Sequence, residues 1–83
     1  MDDLNTLRKK IDDLDAKIMP LLEERMTLSK IIGILKQEQS RSITDSAREQ
    51  SILDKTKPFK HASSLETVYR TLIEESKKIQ GKG

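Results

Sequence analysis

The sequence contains no cysteine and no tryptophan, and it has one tyrosine and one phenylalanine. The missing cysteines exclude disulfide bonds and cysteine-based zinc sites, and the scarcity of aromatic rings removes the stacking platforms that single-stranded nucleic acids use. No apolar run approaches the roughly 20 residues that span a bilayer. The first ten residues, MDDLNTLRKK, lack the charge order and apolar stretch of a signal peptide. We therefore expect a soluble, cytoplasmic protein with no membrane and no nucleic-acid partner.

Apolar residues are also scarce, at 34% of the 83 residues, whereas 36% are charged. The formal charge is +2 with both signs intermixed, which does not by itself indicate a polyanion as partner. A chain of this size buries a modest fraction of its surface. We expect one small domain with a thin core that gains stability by self-association.

The strongest pattern is an apolar seam in the first half of the chain. Its members alternate steps of three and four residues, as in a heptad repeat: Leu4, Leu7, Ile11, Leu14, Ile18, Leu21, Leu28, Ile32 and Leu35. The spacing predicts one long helix over residues 2–39. Pro20 removes one helical hydrogen bond, but the seam keeps its phase on both sides, which favours a kink at residues 16–20 over a break into two helices.

Two further helices are predicted after the loop SRSITDS. The second covers residues 45–55, with Thr44, Asp45 and Ser46 competing for its N-cap. The third opens at Ser63, which has capping-box spacing to Glu66. The domain is expected to span residues 1–80, followed by a disordered tail at 81–83.

Several polar residues stand inside these apolar patterns. Arg25 fills a seam position between Leu21 and Leu28, and Lys36 follows almost three turns later on nearly the same side. Ser76 interrupts the apolar pattern of the third helix, and Gln80 lies one turn beyond it. A charge in a helix interface is costly unless it is paired, so a cationic excess there indicates an anion site. A seam arginine alone, however, more often makes a salt bridge or reaches solvent, and patterning alone favours a self-associating helical module.

Four stretches together alter this balance: LRKKIDDLDAKIMPLLEER, IGILK, DSARE and IEESKKIQ. Their order and spacing closely resemble those of the all-helical chorismate mutases. The resemblance implies an all-α fold of three helices per chain, with two chains intertwined in a homodimer. It also implies the Claisen rearrangement of chorismate to prephenate, on the route to phenylalanine and tyrosine. Because that reaction is pericyclic, it requires no metal and no cofactor.

The resemblance also assigns roles to residues that bind the substrate's carboxylates and ether oxygen. Arg25 and Arg48 are similar to carboxylate-binding arginines, and Arg8 to the arginine that enters the site from the partner chain. Lys36 matches the lysine that donates to the ether oxygen, and Gln80 the residue on the other side of that oxygen.

Three more positions complete this predicted substrate site. Glu49 matches the acceptor for the substrate's hydroxyl, Asp45 the position whose backbone helps to hold it, and Ser76 a serine near a carboxylate. The residues expected to be catalytic are Arg25, Lys36, Glu49 and Gln80.

Geometry gives a separate reason to expect a dimer. Arg8 and Arg25 lie 17 residues apart, about 25 Å along a helix, so one straight chain cannot bring both to one small molecule. Two alternatives stay open at this point. An isochorismate pyruvate lyase shares the fold and a similar site, and a non-catalytic helical dimer would use the seams for assembly only.

Overall fold

The computed structural model describes residues 3–81, which form three α-helices. Helix α1 spans Leu4–Glu38, α2 spans Ser46–Asp54 and α3 spans Ala62–Gly81. The predicted all-α class with three helices is therefore confirmed. Gly81, assigned to the tail, ends α3, and the other two tail residues lie outside the described part of the chain.

Helix α1 has a defined cap at each end. The Asp3 carboxylate accepts a hydrogen bond of 2.8 Å from the Thr6 amide, which is the usual N-cap arrangement. The helix continues through Pro20, so the two-helix alternative is wrong, and a kink there stays a prediction. At the other end Ser40 adopts φ = 55°, and the Arg41 amide donates to the Lys36 carbonyl at 2.7 Å. This left-handed residue and its hydrogen bond form a Schellman-type end.

The short helix α2 takes Asp45 as its N-cap, because the Asp45 carboxylate accepts from the Arg48 amide at 3.1 Å. The capping box predicted at Ser63 is wrong. Helix α3 begins one residue earlier, at Ala62, which places Ser63 inside the first turn. The Glu66 side chain accepts from Arg70, one turn further along, instead of reaching back to a cap.

Helix α3 packs on both α1 and α2. Arg25 meets Ser76 and Gly33 meets Gln80, in the same order along both helices, so α1 and α3 run in similar directions. Gly33 is where they approach most closely among these contacts. A Cβ built on Gly33 would lie 2.6 Å from the Gln80 Cα. The small residues on this face, Ser29 and Gly33, are buried and allow α3 to pack close to α1.

The apolar seam of α1 lies elsewhere. Its first five members, from Leu4 to Ile18, are 45–61% exposed in the single chain, and its later members are exposed as well. Buried apolar side chains in the described residues are Leu53 and Ile73. The buried positions Ser29 and Gly33 that face α3 are thus not members of the seam, although Arg25, at a seam position, reaches Ser76 on α3. None of the helices within residues 3–81 is long and apolar enough to cross a membrane.

Candidate active site

A cavity of about 470 Å³ lies between the second half of α1, the start of α2 and the end of α3. Its volume is in the range of small-molecule sites. Seven of the eight residues assigned to the site from the sequence line this cavity: Arg25, Lys36, Asp45, Arg48, Glu49, Ser76 and Gln80. Arg8 does not line it; this exposed residue lies in the second turn of α1.

One end of the cavity is formed by Arg25 and Ser76. The Arg25 Nη1 donates to the Ser76 Oγ over 2.6 Å, joining α1 to α3. Ser76 is buried and Arg25 is half-buried. A buried hydroxyl is small enough to leave space for the guanidinium, and it orients that group toward the cavity. The remaining N–H groups of the guanidinium present a planar fork that suits a carboxylate.

The other end is organised by Lys36. Its Nζ donates to the Ile43 carbonyl at 2.9 Å and to the Gln80 Oε1 at 3.0 Å. An ammonium group has three N–H donors, so one is left for a ligand. Because Gln80 uses its oxygen to accept from Lys36, its amide NH₂ is the end left to donate. Two donors on different helices thus meet at one point of the cavity.

The wall contributed by α2 carries charges of both signs. Asp45 uses its carboxylate to cap α2, while Arg48 lines the cavity from the first turn. Lys77 on α3 forms an ion pair and hydrogen bond with Glu49, with 3.2 Å between the Lys77 Nζ and the Glu49 Oε1. That hydrogen bond raises the pKa of Lys77 above its ordinary value of 10.5, and the negative charges of Glu49 and Glu74 act in the same direction.

The charge balance of the cavity is positive. It is lined by five cationic side chains against two carboxylates, and the carboxylates are engaged by a helix cap and by Lys77. Within residues 3–81, no carboxylate lies at ion-pair distance from Arg25, Lys36 or Arg48. The salt-bridge interpretation of Arg25 is therefore wrong within this chain. Unpaired cations around a partly enclosed space make an anion-binding site.

Some lining residues were not singled out from the sequence. The Ile43 carbonyl is a backbone group, so side-chain patterns carry no signal for it. Lys77 could have been found, since it follows Ile73 by four residues and precedes Gln80 by three, which places it on the cavity face of α3. Residues 3–81 contain no group of three or more histidine, cysteine, aspartate or glutamate side chains arranged to hold a metal ion.

The chain is similar to several known proteins of one family. The family model described as chorismate mutase type II matches residues 7–81. A protein named chorismate mutase from Methanocaldococcus jannaschii is 32% identical over 82 residues, covering 93% of this chain and 83% of that protein. A bifunctional chorismate mutase/prephenate dehydratase from Aquifex aeolicus is 42% identical over 55 residues, which are 66% of this chain and 15% of that longer protein.

A solved structure, a conserved hypothetical protein from Pyrococcus furiosus, has the same fold with a TM-score of 0.81 at 32% identity, covering 93% of each chain. The family resemblance and the enzyme class expected from the sequence are confirmed. The chain belongs to the chorismate mutase type II family.

Proposed function

We propose that the cavity binds chorismate and catalyses its rearrangement to prephenate, the step toward phenylalanine and tyrosine. We also propose that residues 1–80 form one domain and that the enzyme is cytoplasmic. The observation that carries it is the set of unpaired cations, Arg25, Lys36 and Arg48, around a cavity sized for a small molecule. Chorismate has two carboxylates, an ether bridge and a hydroxyl, and each has a chemically suitable partner there.

The reaction breaks the C–O bond of the ether and forms a C–C bond in one cyclic movement of electrons. The substrate must be held in its folded diaxial conformer. Two separate groups that each bind one substrate carboxylate therefore contribute to catalysis by positioning. These two groups are Arg25 on α1, which Ser76 orients, and Arg48 on α2. A carboxylate held at each end restricts the substrate to shapes close to the transition state.

The ether oxygen gains negative charge as its bond to carbon breaks. Lys36 and Gln80 are joined by a 3.0 Å hydrogen bond, and each retains a donor for that oxygen. Their positions are fixed before the substrate arrives, which is the condition for electrostatic stabilisation of a transition state. Glu49 accepts the ring hydroxyl and so fixes the orientation of the ring.

The proposed active form is an intertwined homodimer in which the partner's Arg8 completes each site. Two observations support it. The seam from Leu4 to Ile18 is exposed in the single chain, and a contiguous apolar surface of this kind is typical of an interface. Arg8 carries a charge on the same helical segment and does not line its own chain's cavity. A two-fold axis would produce two equivalent sites.

The test is to incubate the purified chain with chorismate, and separately with isochorismate, and to identify the products by proton NMR. Formation of prephenate from chorismate is the expected result. Salicylate and pyruvate from isochorismate, with little prephenate, would assign the site to the lyase instead. Conversion of neither substrate would leave the non-catalytic dimer as the function.

A further inference from the structure

We infer that Lys77 is a positioning residue for the rearrangement, holding the Glu49 carboxylate in place as the acceptor for the substrate's ring hydroxyl. This inference rests on the proposed function. Lys77 lines the cavity on α3, between Ile73 and Gln80, and faces Glu49 on α2.

The ion pair differs from others in the molecule in what it joins. Arg70 with Glu66, and Lys78 with Glu75, connect neighbours within one helix and lie at exposed positions. Lys77 and Glu49 connect two helices, and their side chains are 27% and 26% exposed. Partial burial reduces solvent screening, so this pair fixes its carboxylate more firmly than a surface pair does.

Its geometry leaves the carboxylate usable. Lys77 binds the Oε1 of Glu49, and a carboxylate has a second oxygen with its own lone pairs. That second oxygen can accept the ring hydroxyl while Lys77 sets the rotation of the side chain. The Lys77 contact with Glu74 is longer, at 3.6 Å, and Glu74 is 66% exposed, so Glu49 is the principal partner.

Electrostatics also favours a cation beside Glu49. Glu49 is an anion lining the cavity in which a substrate with two carboxylates is proposed to bind. Like charges at short range are repulsive. The ammonium group of Lys77 at 3.2 Å offsets the charge of Glu49. The enzyme can then present a carboxylate to the hydroxyl without repelling the rest of the ligand.

The experiment compares Lys77→Met with the parent on two substrates: chorismate, and an analogue in which the ring hydroxyl is replaced by hydrogen. We expect kcat/KM for chorismate to fall on the order of tenfold, the typical effect of a charge-assisted hydrogen bond. The analogue lacks the group that Glu49 accepts, so its kcat/KM should change less than about twofold. Lys77→Arg should recover most of the loss on chorismate, because a guanidinium also binds a carboxylate.

Matched controls are available on the same helix. Lys78→Met removes an exposed lysine paired with Glu75, and Glu74→Gln removes the minor partner of Lys77; both should behave as the parent. In a Glu49→Gln background, Lys77→Met should cause little further loss on chorismate, since the group it positions is already changed. Circular dichroism establishes that each variant is folded, and Lys77→Gln serves as the second variant if Lys77→Met is not.

Each other outcome overturns the inference. Equal losses on the two substrates would show that Lys77 contacts a carboxylate of the substrate or supports the fold. Unchanged turnover of chorismate by Lys77→Met would show that the ion pair has no part in the reaction. Failure of the parent to convert chorismate would overturn the proposed function itself, and the inference with it, whereas an active parent with an unaffected Lys77→Met overturns the inference alone.

Discussion

The two halves of α1 differ in what they bury. Along residues 4–18 the apolar seam is exposed, with every member at least 45% accessible. Along residues 25–36 the buried or half-buried positions include an arginine, a serine, a glycine and a lysine, while the apolar Leu28, Ile32 and Leu35 are exposed. The apolar seam is therefore exposed along both halves, and the second half differs because it also buries polar and small groups.

This contrast shows which half of α1 has a packing partner within one chain. We call residues 25–36 the complete half and residues 4–18 the exposed half. The second half has its partner helix, α3, to which Arg25 and Lys36 are hydrogen-bonded. The first half has an apolar surface without a covering element in the described chain, and our proposed dimer supplies one. The two halves of α1 should therefore respond differently to substitution.

The largest effect is expected from Leu14→Glu in the exposed half. If the dimer buries Leu14, the substitution removes about 1.5–3 kcal/mol of favourable association free energy in each chain. The loss is on the order of 3–6 kcal/mol per dimer, because the two-fold axis repeats it. Sedimentation equilibrium should show association weakened by roughly 10²- to 10⁴-fold. Lys17→Glu, a change from a neighbouring lysine to the same new side chain, is the control. A parent that sediments as a monomer would contradict the burial of the exposed half in a dimer.

In the complete half, Lys36→Ala should abolish most of the turnover. Removing one preorganised donor to a developing oxyanion costs about 2.7–4 kcal/mol. The fall should appear in kcat much more than in KM, because the interaction strengthens in the transition state. Steady-state kinetics with chorismate measures it, and Lys30→Ala, at an exposed position outside the cavity, is the matched control. An unaltered kcat would remove Lys36 from its role.

The packing of the complete half is tested by Gly33→Ala. A new Cβ would meet backbone atoms of Gln80 at 2.6 and 2.7 Å, and backbone cannot rotate aside. Overpacking of this kind costs about 1–3 kcal/mol, which outweighs the gain of about 1 kcal/mol in helix propensity. Chemical denaturation should therefore show lower stability, together with reduced kcat as Gln80 moves.

Gly81→Ala is the companion variant for that experiment. Its Cβ would lie 3.5 Å from the Ile43 Cδ1, an ordinary contact. It should leave stability unchanged or slightly raised. Equal destabilisation by the two substitutions would show that the contact with Gln80 is not what distinguishes Gly33.

The smallest effect concerns the start of α1. The hydrogen bond from the Thr6 amide lowers the pKa of Asp3 below its ordinary value of 3.8. A carboxyl whose folded-state pKa is lowered stabilises the fold above the unfolded value and loses that contribution as the pH falls through the folded value. Thermal unfolding between pH 5 and pH 2 should show a slightly smaller decline for Asp3→Asn, which keeps a cap without the charge. Identical pH profiles would contradict a contribution from Asp3.

Periodicity was sufficient to predict the three helices to within two residues at each end, because heptad spacing and turn residues act locally. It could not identify the face of α1 that packs on α3. Ser29 and Gly33 make that contact by being small, and small residues give no signal in a hydrophobic pattern. Of the seven predicted residues that line the cavity, four stood out as polar positions in apolar patterns: Arg25, Lys36, Ser76 and Gln80. The other three, and the role of each residue, came from the family resemblance, since patterning alone favoured a self-associating module. The Ile43 carbonyl and the Lys77–Glu49 pair depend on how the loop and α2 fold back, which no local pattern specifies.

Lys36 holds the loop that follows α1 at two points: its carbonyl accepts from the Arg41 amide, and its ammonium donates to the Ile43 carbonyl. The residue proposed to act on the ether oxygen therefore also stabilises the turn that follows α1. Local opening of that turn would displace the Lys36 side chain and abolish activity while the helices remain folded. On heating, activity should begin to fall before the helical signal does, and amide hydrogen exchange at Arg41 would report the fraction of competent molecules.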